Sequence, residues 1–495
     1  MQTNNLHIKN TFYYTLAPVI RNFFLFITLP ILTRYLSPSD YGMVNLITMV
    51  ASFSSLFFMG VQNSTVRYFF KYKKDPLSLQ SMFSTNILFV VLASVLYFII
   101  LITGYPYINH YILNDKIPFI WLSIGFWQAA LMYINTMNQY FLQNSFEGKR
   151  WFQNELVAIF IQVGLSICLV VFGDFKYEAI ILAGFCSELG RFIMSYYKLA
   201  KYYSLSIKFP FLKESLKYSW PQVPTNLVSF SYSYLDKFLL NRYQNVSQVG
   251  FADLSSKISN ILKMITDGVS GTLSPLTLDL LHEGSEASLK KLADINLKVI
   301  FLLFGFALGL ILFAQELIII LTTKEYHSLI YIAPIYIYYH IFGILGMVSY
   351  WLIYIHPDKT YLQIPLNLIN LIISTIINII LIPIYGIWGA AIALVISSAI
   401  CQIIQFIVAY RITPIPIKIG KMILLFGVIL FETGMLYLLY WIKPFWAVSF
   451  IIRLIMLSGF FFLGMSINIV KISEVKTIMN LVINKAKSKF GLSIG

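Results

Sequence analysis

Apolar runs of about 20 residues, separated by short polar loops, recur along the whole chain. Each run is long enough to cross a hydrocarbon core as a helix, which satisfies its own backbone hydrogen bonds. The first six centre near Phe23, Ala51, Val90, Phe126, Gln162 and Glu188. The next six centre near Ser229, Leu262, Ala307, Phe342, Leu371 and Leu394, and the last two near Leu430 and Ser458. The pattern therefore predicts an all-α polytopic membrane protein with about fourteen transmembrane helices. The runs around Ser229 and Leu262 are the most polar of the set. The longest outer loop, Gly104 to Lys116, leaves no room for an extramembrane catalytic domain. Met1 to Asn10 is polar and leads into a succession of spans rather than a cleavage site, so no signal peptide is expected.

Composition narrows the class. Hydrophobic residues make up 58% of the 495 positions and charged residues only 12%, against about 25% charged in soluble domains. A soluble fold would expose much of that apolar surface to water. Cys168, Cys186 and Cys401 stand singly, which suggests neither a disulfide framework nor a zinc site.

The net charge of +15 is informative through its placement. Lys71, Lys73 and Lys74, then Lys149 and Arg150, then Lys198, Lys201, Lys208, Lys213 and Lys217 fall after even-numbered spans. So do Lys290, Lys291, Lys298, Lys359, Arg411, Lys418, Lys421 and the lysines of the tail. Alternate loops carry only scattered bases. The positive-inside rule then puts both termini in the cytoplasm. The surplus base reports topology and an anionic inner leaflet, not nucleic acid.

The chain contains an internal repeat. Leu32 to Leu46 and Leu240 to Leu254 align at a constant offset of 208 residues, with six of fifteen positions identical. The shared residues include Arg34 and Arg242, Ser39 and Ser247, and Gly42 and Gly250. Prolines stand upstream in both copies, at Pro18 and at Pro221 and Pro224. The offset equals six predicted spans, so the repeat is parallel. Two six-helix bundles around a central cavity are expected, with two further helices at the end. This sets the boundaries: an N-terminal bundle at 11–198, a cytoplasmic linker at 199–213, a C-terminal bundle at 214–410, two added helices at 411–470 and a basic cytoplasmic tail at 471–495. Structurally, Arg34 and Arg242 can snorkel, Ser39 and Ser247 can cap the helices after them, and Gly42 and Gly250 permit a tight helix start.

The run LPILTRYLSPSDYGMVNL, then Gly60 and STVRYFF with Arg67, resembles the start of the bacterial polysaccharide-export flippases. YLDKFLL with Asp236 and Lys237, VGFADLSSKISNIL and Pro275 add to the resemblance, although Lys237 stands where Arg is commoner. These proteins belong to the multidrug/oligosaccharidyl-lipid/polysaccharide exporter superfamily. The resemblance implies a flippase in the bacterial inner membrane. Its cargo would be an undecaprenyl-pyrophosphate-linked oligosaccharide, moved to the outer leaflet by alternating access for O-antigen, capsule or exopolysaccharide assembly. It also implies the pathway's polymerase and chain-length machinery as partners, and a chain that works as a monomer. A cation-coupled multidrug exporter of the same superfamily is the alternative.

Ionisable groups at membrane depth are expensive and usually face a wet cavity or a partner. Arg21, Arg191, Lys257 and Lys263 are the candidates for gripping a pyrophosphate head group. Asn135, Asn138 and Gln139, with Ser229, Ser231, Tyr232, Ser233 and Tyr234, could contact sugars. Spacing also allows plain packing pairs: Glu188 with Arg191, Asp253 with Lys257, and Lys263 with Asp267. Glu432 and Arg453 lie at similar depth on the last two spans and are read as a structural pair. Trp441, Phe445 and Trp446 are read as interface anchors. His340 alone among the histidines falls inside a span, where a hydrogen-bonded role is expected. No HExxH, GxSxG or Walker pattern is present, so a transporter rather than an enzyme is expected, without a cofactor or metal but with coupling to a proton or sodium gradient open to it.

Overall fold

A computed structural model of the chain describes residues 2–470, without the side chains of residues 2–9, 11, 12, 15, 18, 25, 357 and 360. The basic tail and the side chain of Pro18 lie outside the described residues. The helices, in order, are α1 (Gln2–Leu32), α2 (Pro38–Ser52), α3 (Val61–Tyr72), α4 (Pro76–Tyr111), α5 (Phe119–Asn144) and α6 (Gly148–Phe172). Next come α7 (Tyr177–Leu199), α8 (Phe209–Ser219), α9 (Val223–Tyr243), α10 (Val246–Glu283), α11 (Glu286–Leu312) and α12 (Ala314–Leu321). The last are α13 (Leu329–Tyr354), α14 (Gln363–Tyr385), α15 (Ile387–Ile412), α16 (Ile419–Ile442) and α17 (Trp446–Ser466). The all-α expectation holds among the described residues.

The expected number of spans does not hold. Nine helices among the described residues are long and apolar enough to cross a membrane. The total is ten if α2 and α3, bent by 48°, are one broken span. Four expected spans drop out, and polarity accounts for three of them. α5 carries Gln128, Asn135, Asn138, Gln139 and Gln143; α9 is rich in serine and tyrosine; α10 holds Asp253, Lys257, Lys263 and Asp267. In α1 only Val19–Leu32 forms an apolar helix, and it is short.

The expected pair of six-helix bundles is also not the arrangement found. Contacts group the chain into two units. Among the described residues, one comprises 2–254, Ile319–His327 and Leu371–Ala393; the other comprises Ser255–Ile318, Ser328–Asn370 and 394–470. The chain passes between units several times instead of dividing once. α16 and α17 share the second unit's core with α11.

Local sequence explains the element ends. Ser37 caps α2 in a capping box: its Oγ accepts from Asp40 N–H (3.3 Å) while Asp40 Oδ2 accepts from Ser37 N–H (2.8 Å), with Pro38 in the first turn. The cap is thus Ser37 rather than Ser39. α2 breaks into a 3-10 turn at Phe53–Leu56. Met59 (φ 50°) and Gly60 (φ 67°) then turn the chain through consecutive left-handed residues into α3. The carbonyl of Val50, near the break, accepts from Tyr97 Oη at 2.9 Å.

The first unit's core gathers Leu46, Ile47, Val61, Phe83, Phe126 and Met137, all essentially sealed from solvent. The second centres on Ile300, Phe304, Ile311, Ile341, Leu425 and Phe460. α17 lies close to α11, where Phe301 stacks on Phe460 at 5.3 Å. Gly464 makes that approach possible, because a Cβ there would meet Phe301 at 2.1 Å.

Candidate functional site

Within the first unit, the two copies of the repeat touch each other, and the contacts are reciprocal. A Cβ on Gly42 would lie 2.0 Å from the carbonyl oxygen of Val246, and a Cβ on Gly250 would lie 1.8 Å from that of Pro38. Gly42 pairs with Gly250 in the repeat, and Pro38 with Val246. Each copy's glycine therefore receives the first turn of the other copy's helix, backbone against backbone.

The same reciprocity governs the preceding turns. Thr33 Oγ1 donates to the carbonyl of Leu321 (3.1 Å), and Thr323 Oγ1 donates back to the carbonyl of Thr33 (3.1 Å). At the repeat-related position, Asn241 Nδ2 donates to the carbonyl of Ile112 (2.6 Å). Asn114 Nδ2 donates back to the carbonyl of Asn241 (3.4 Å) and to its Oδ1 (3.1 Å). Arg34 and Arg242 point outward as a matched exposed pair, while Gly42 and Gly250 are buried. Tyr326 Oη seals one side of this clasp by donating to the carbonyl of Leu36 at 2.5 Å. Burial, then neighbouring Tyr41 and Asp40, push the Tyr326 phenol above its ordinary range, so it stays a neutral donor.

A second polar cluster lies where α5, α6 and α7 meet. Arg191 is paired with Glu188 on its own helix (3.4 Å) and with Glu155 on α6 (3.3 Å). All three are more than nine-tenths buried. Asn135 Nδ2 donates to both the carbonyl and Oε2 of Glu188, each at 2.8 Å. Gln139 donates to Glu155, and Asn138 Oδ1 accepts from Tyr203 Oη at 2.7 Å. The Glu188–Arg191 pair expected from spacing is present, and Glu155 joins it unannounced. The candidate sugar-contacting amides of α5 are thus engaged inside the first unit.

α9 and α10 present their polar groups differently. Ser229 and Ser233 are exposed, and Ser231, Tyr232 and Tyr234 are half-buried. Tyr234 Oη lies 3.1 Å from Ser52 Oγ. On α10, Lys257, Asn260, Lys263 and Asp267 recur every three to four residues along one exposed face. Lys263 and Asp267 pair at 2.5 Å with more than half of each side chain exposed. His340 on α13 faces Ser259, the two lying within hydrogen-bond reach at 3.3 Å. Arg21 on α1 is half-buried and has no ion pair among the described residues.

The expected Glu432–Arg453 pair is not formed. Arg453 Nη1 binds both oxygens of Glu316 (2.7 and 2.8 Å) and the carbonyl of Leu312 (3.2 Å). Nη2 reaches Gln315 Oε1 (3.1 Å) and Ser449 Oγ (2.7 Å). Glu316 is closer to Arg453 in space although 137 residues distant in sequence. Glu432 is buried with an unpartnered Oε2. No group of three or more His, Cys, Asp or Glu that could hold a metal occurs among the described residues.

Comparison with known proteins places this geometry. The profile of a family described as "Polysaccharide biosynthesis protein" matches residues 31–331. No curated protein matches the chain. Among solved structures, the lipid II flippase MurJ in an inward closed conformation is similar at a TM-score of 0.70. It is 15% identical, with 92% of this chain and 99% of that chain covered. A multidrug resistance MATE family transporter of the MOP superfamily is similar in its inward-facing form at a TM-score of 0.62 and 13% identity, covering 79% of this chain and 94% of the other. Its outward-facing form scores 0.53 at 14% identity, covering 81% and 94%. At these identities the likeness is one of fold.

Proposed function

Because the chain belongs to the polysaccharide biosynthesis protein family and is a multi-pass membrane protein, we propose that it is a flippase of the bacterial inner membrane. It carries an undecaprenyl-pyrophosphate-linked oligosaccharide from the cytoplasmic to the outer leaflet by alternating access. The observation that carries this reading is the exposed polar face of α10, with Lys257, Asn260, Lys263 and Asp267. Charged side chains exposed along a helix of a membrane protein need water or an ionic cargo, not lipid. A diphosphate needs cations to leave water; Lys263 on α10 is suited to that role, and Arg21 on α1 is a separate candidate for it. Ser229, Ser231 and Ser233 on α9 offer hydroxyls to the sugars. The reciprocal clasp of the repeats supports the mechanical part, since repeat-related contacts can part and re-form as a unit. Arg191, which already serves two carboxylates, is the least suited of the four expected cations to grip a cargo.

The test is reconstitution of the full chain in vesicles with an undecaprenyl-pyrophosphate-linked oligosaccharide, with and without a proton or sodium gradient. Movement of the glycan lipid across the bilayer, weakened by Lys263→Gln and Arg21→Ala, supports the assignment. Uptake of a cationic drug with no movement of the glycan lipid would transfer the protein to the multidrug exporters.

A further inference from the structure

The segment between the two copies of the repeat, expected from sequence to be a cytoplasmic linker, is strapped to the start of a spanning helix. Gln80 Nε2 on α4 donates to the carbonyl of Lys201 (2.8 Å), and Lys208 N–H donates to Thr85 Oγ1 (3.1 Å). Tyr203 Oη donates to Asn138 Oδ1, fixing the near end. The strap therefore lies along α4 between Gln80 and Thr85.

α4 changes character at that level. Ser78, Gln80, Ser81, Ser84 and Thr85 fall in its first turns, and from Ile87 onward it is almost wholly apolar. With 36 residues, α4 is about 54 Å long, roughly 24 Å more than a hydrocarbon core. Its polar first turns thus have length to spare for the headgroup layer, and the change to apolar residues marks where the boundary with the acyl chains is expected.

The strap's outward surface suits this boundary and not water. Leu205 is 97% exposed and Phe209 70%, with Ile207 also exposed between them and Leu77 of α4 exposed nearby. Lys201, Lys208 and Lys213 alternate with these apolar groups and are all exposed. The neighbouring carboxylates are already engaged: Asp75 caps α4 through the N–H groups of Leu77 and Ser78, and Glu214 binds Lys71 and Tyr72. The surface is therefore apolar side chains interleaved with cations; Lys208 feels the charge of Asp75, but that carboxylate is taken up by the cap of α4. Apolar tips that reach the acyl boundary, with lysines extended to phosphates, are the chemistry of an interfacial anchor.

We propose that residues 201–213 form an interfacial anchor that binds anionic phospholipid headgroups. Leu205, Ile207 and Phe209 seat at the acyl boundary, and Lys201, Lys208 and Lys213 lie on the phosphates. The segment joining the repeats is then fixed to the membrane surface, and its hold depends on lipid charge whatever cargo the protein moves.

The test is hydrogen exchange of the full chain in nanodiscs of zwitterionic lipid alone and of lipid that is about one-third anionic. Exchange across 201–213 slows roughly tenfold in the anionic discs. The Lys201→Gln/Lys208→Gln/Lys213→Gln variant loses that difference, and Leu205→Ser/Phe209→Ser loses protection in both discs. These side chains are exposed, so the variants leave the packed core untouched. The comparison of lipids on the wild type stands even if a variant fails to insert. Equal exchange of the wild type in the two discs overturns the proposal. Protection found only in cell membranes, and in neither disc, also overturns it and assigns the surface to a protein partner.

Discussion

Replacing Gly42 by alanine puts a methyl group where the backbone of Val246 already lies. The new Cβ would sit 2.0 Å from the Val246 carbonyl oxygen, 2.7 Å from its Cγ1 and 2.9 Å from its carbonyl carbon. Ordinary contact begins near 3.4 Å, so the shortfall is about 1.4 Å, and no side-chain rotation relieves a clash with backbone. Gly250→Ala faces the same difficulty at 1.8 Å from the Pro38 carbonyl oxygen. Overpacking of this kind costs about 1–3 kcal/mol. That disfavours the clasped arrangement by roughly 5-fold to 150-fold, at about 1.4 kcal/mol per factor of ten. The two substitutions should act alike because the contact is reciprocal, and the double variant should fall short of their sum because the sites touch. The assay is cross-linking of Asn114→Cys with Asn241→Cys by a short bifunctional reagent, after Cys168, Cys186 and Cys401 are replaced by serine. Asn114 and Asn241 are hydrogen-bonded across the clasp at 3.1 Å, so cross-linking reports the clasped population. Gly42→Ala and Gly250→Ala should each slow it at least about fivefold. Unchanged cross-linking in both, with wild-type thermal stability, would refute the clasp.

Other substitutions test the buried charges and the docking of α8. Arg191→Ala leaves Glu155 and Glu188 without their cation and should lower stability by about 3–5 kcal/mol; the neutral triple variant Glu155→Gln/Glu188→Gln/Arg191→Met should recover much of it in thermal melts in detergent. Glu316→Gln should destabilise the chain in the same melts, because Arg453 loses its charged partner, whereas Glu432→Gln, which removes no ion pair with Arg453, should cost less than Glu316→Gln. Burial opposes ionisation of Glu214, but its hydrogen bonds with Lys71 and Tyr72 outweigh this and hold its carboxyl below the usual glutamate range. That depressed value means the pair stabilises α8 above the unfolded carboxylate range, and the effect is lost as pH falls through the folded value. The contribution is at most about 1 kcal/mol for a partly exposed pair. Hydrogen exchange of α8 should therefore quicken on acidification in the wild type and be insensitive to it in Glu214→Gln.

The parts of the fold that were legible from sequence were those encoded by local pattern. The repeat at Leu32–Leu46 and Leu240–Leu254 was visible as identities, and its glycines proved to be the points of closest approach. The Glu188–Arg191 pair was visible because i,i+3 spacing fixes a shared helix face. Hydropathy overcounted the spans because it was extended to α5, α9 and α10, whose polar residues fail the test of length and apolarity. Glu316 as the partner of Arg453, and Glu155 as the third member of the α5–α7 cluster, join residues far apart in sequence, so no local spacing could point to them. Depth along a span suggested Glu432 for Arg453, but depth does not say which way a side chain faces. The segment at 199–213 was read only as a basic cytoplasmic linker; that it runs beside Gln80 and Thr85 depends on two tertiary hydrogen bonds.

The central claim is that the protein moves a lipid-linked glycan by way of the cations of α1 and α10. The most direct measurement is the rate at which an undecaprenyl-pyrophosphate-linked oligosaccharide becomes accessible on the far side of vesicles containing the purified chain. Wild type, Lys263→Gln and Arg21→Ala are compared at equal incorporation. The account predicts transfer by wild type well above empty vesicles and a loss of at least about tenfold in each variant, the cost of one charge-assisted contact to a phosphate. Transfer no faster than in empty vesicles, or equal rates in all three proteins, would contradict it.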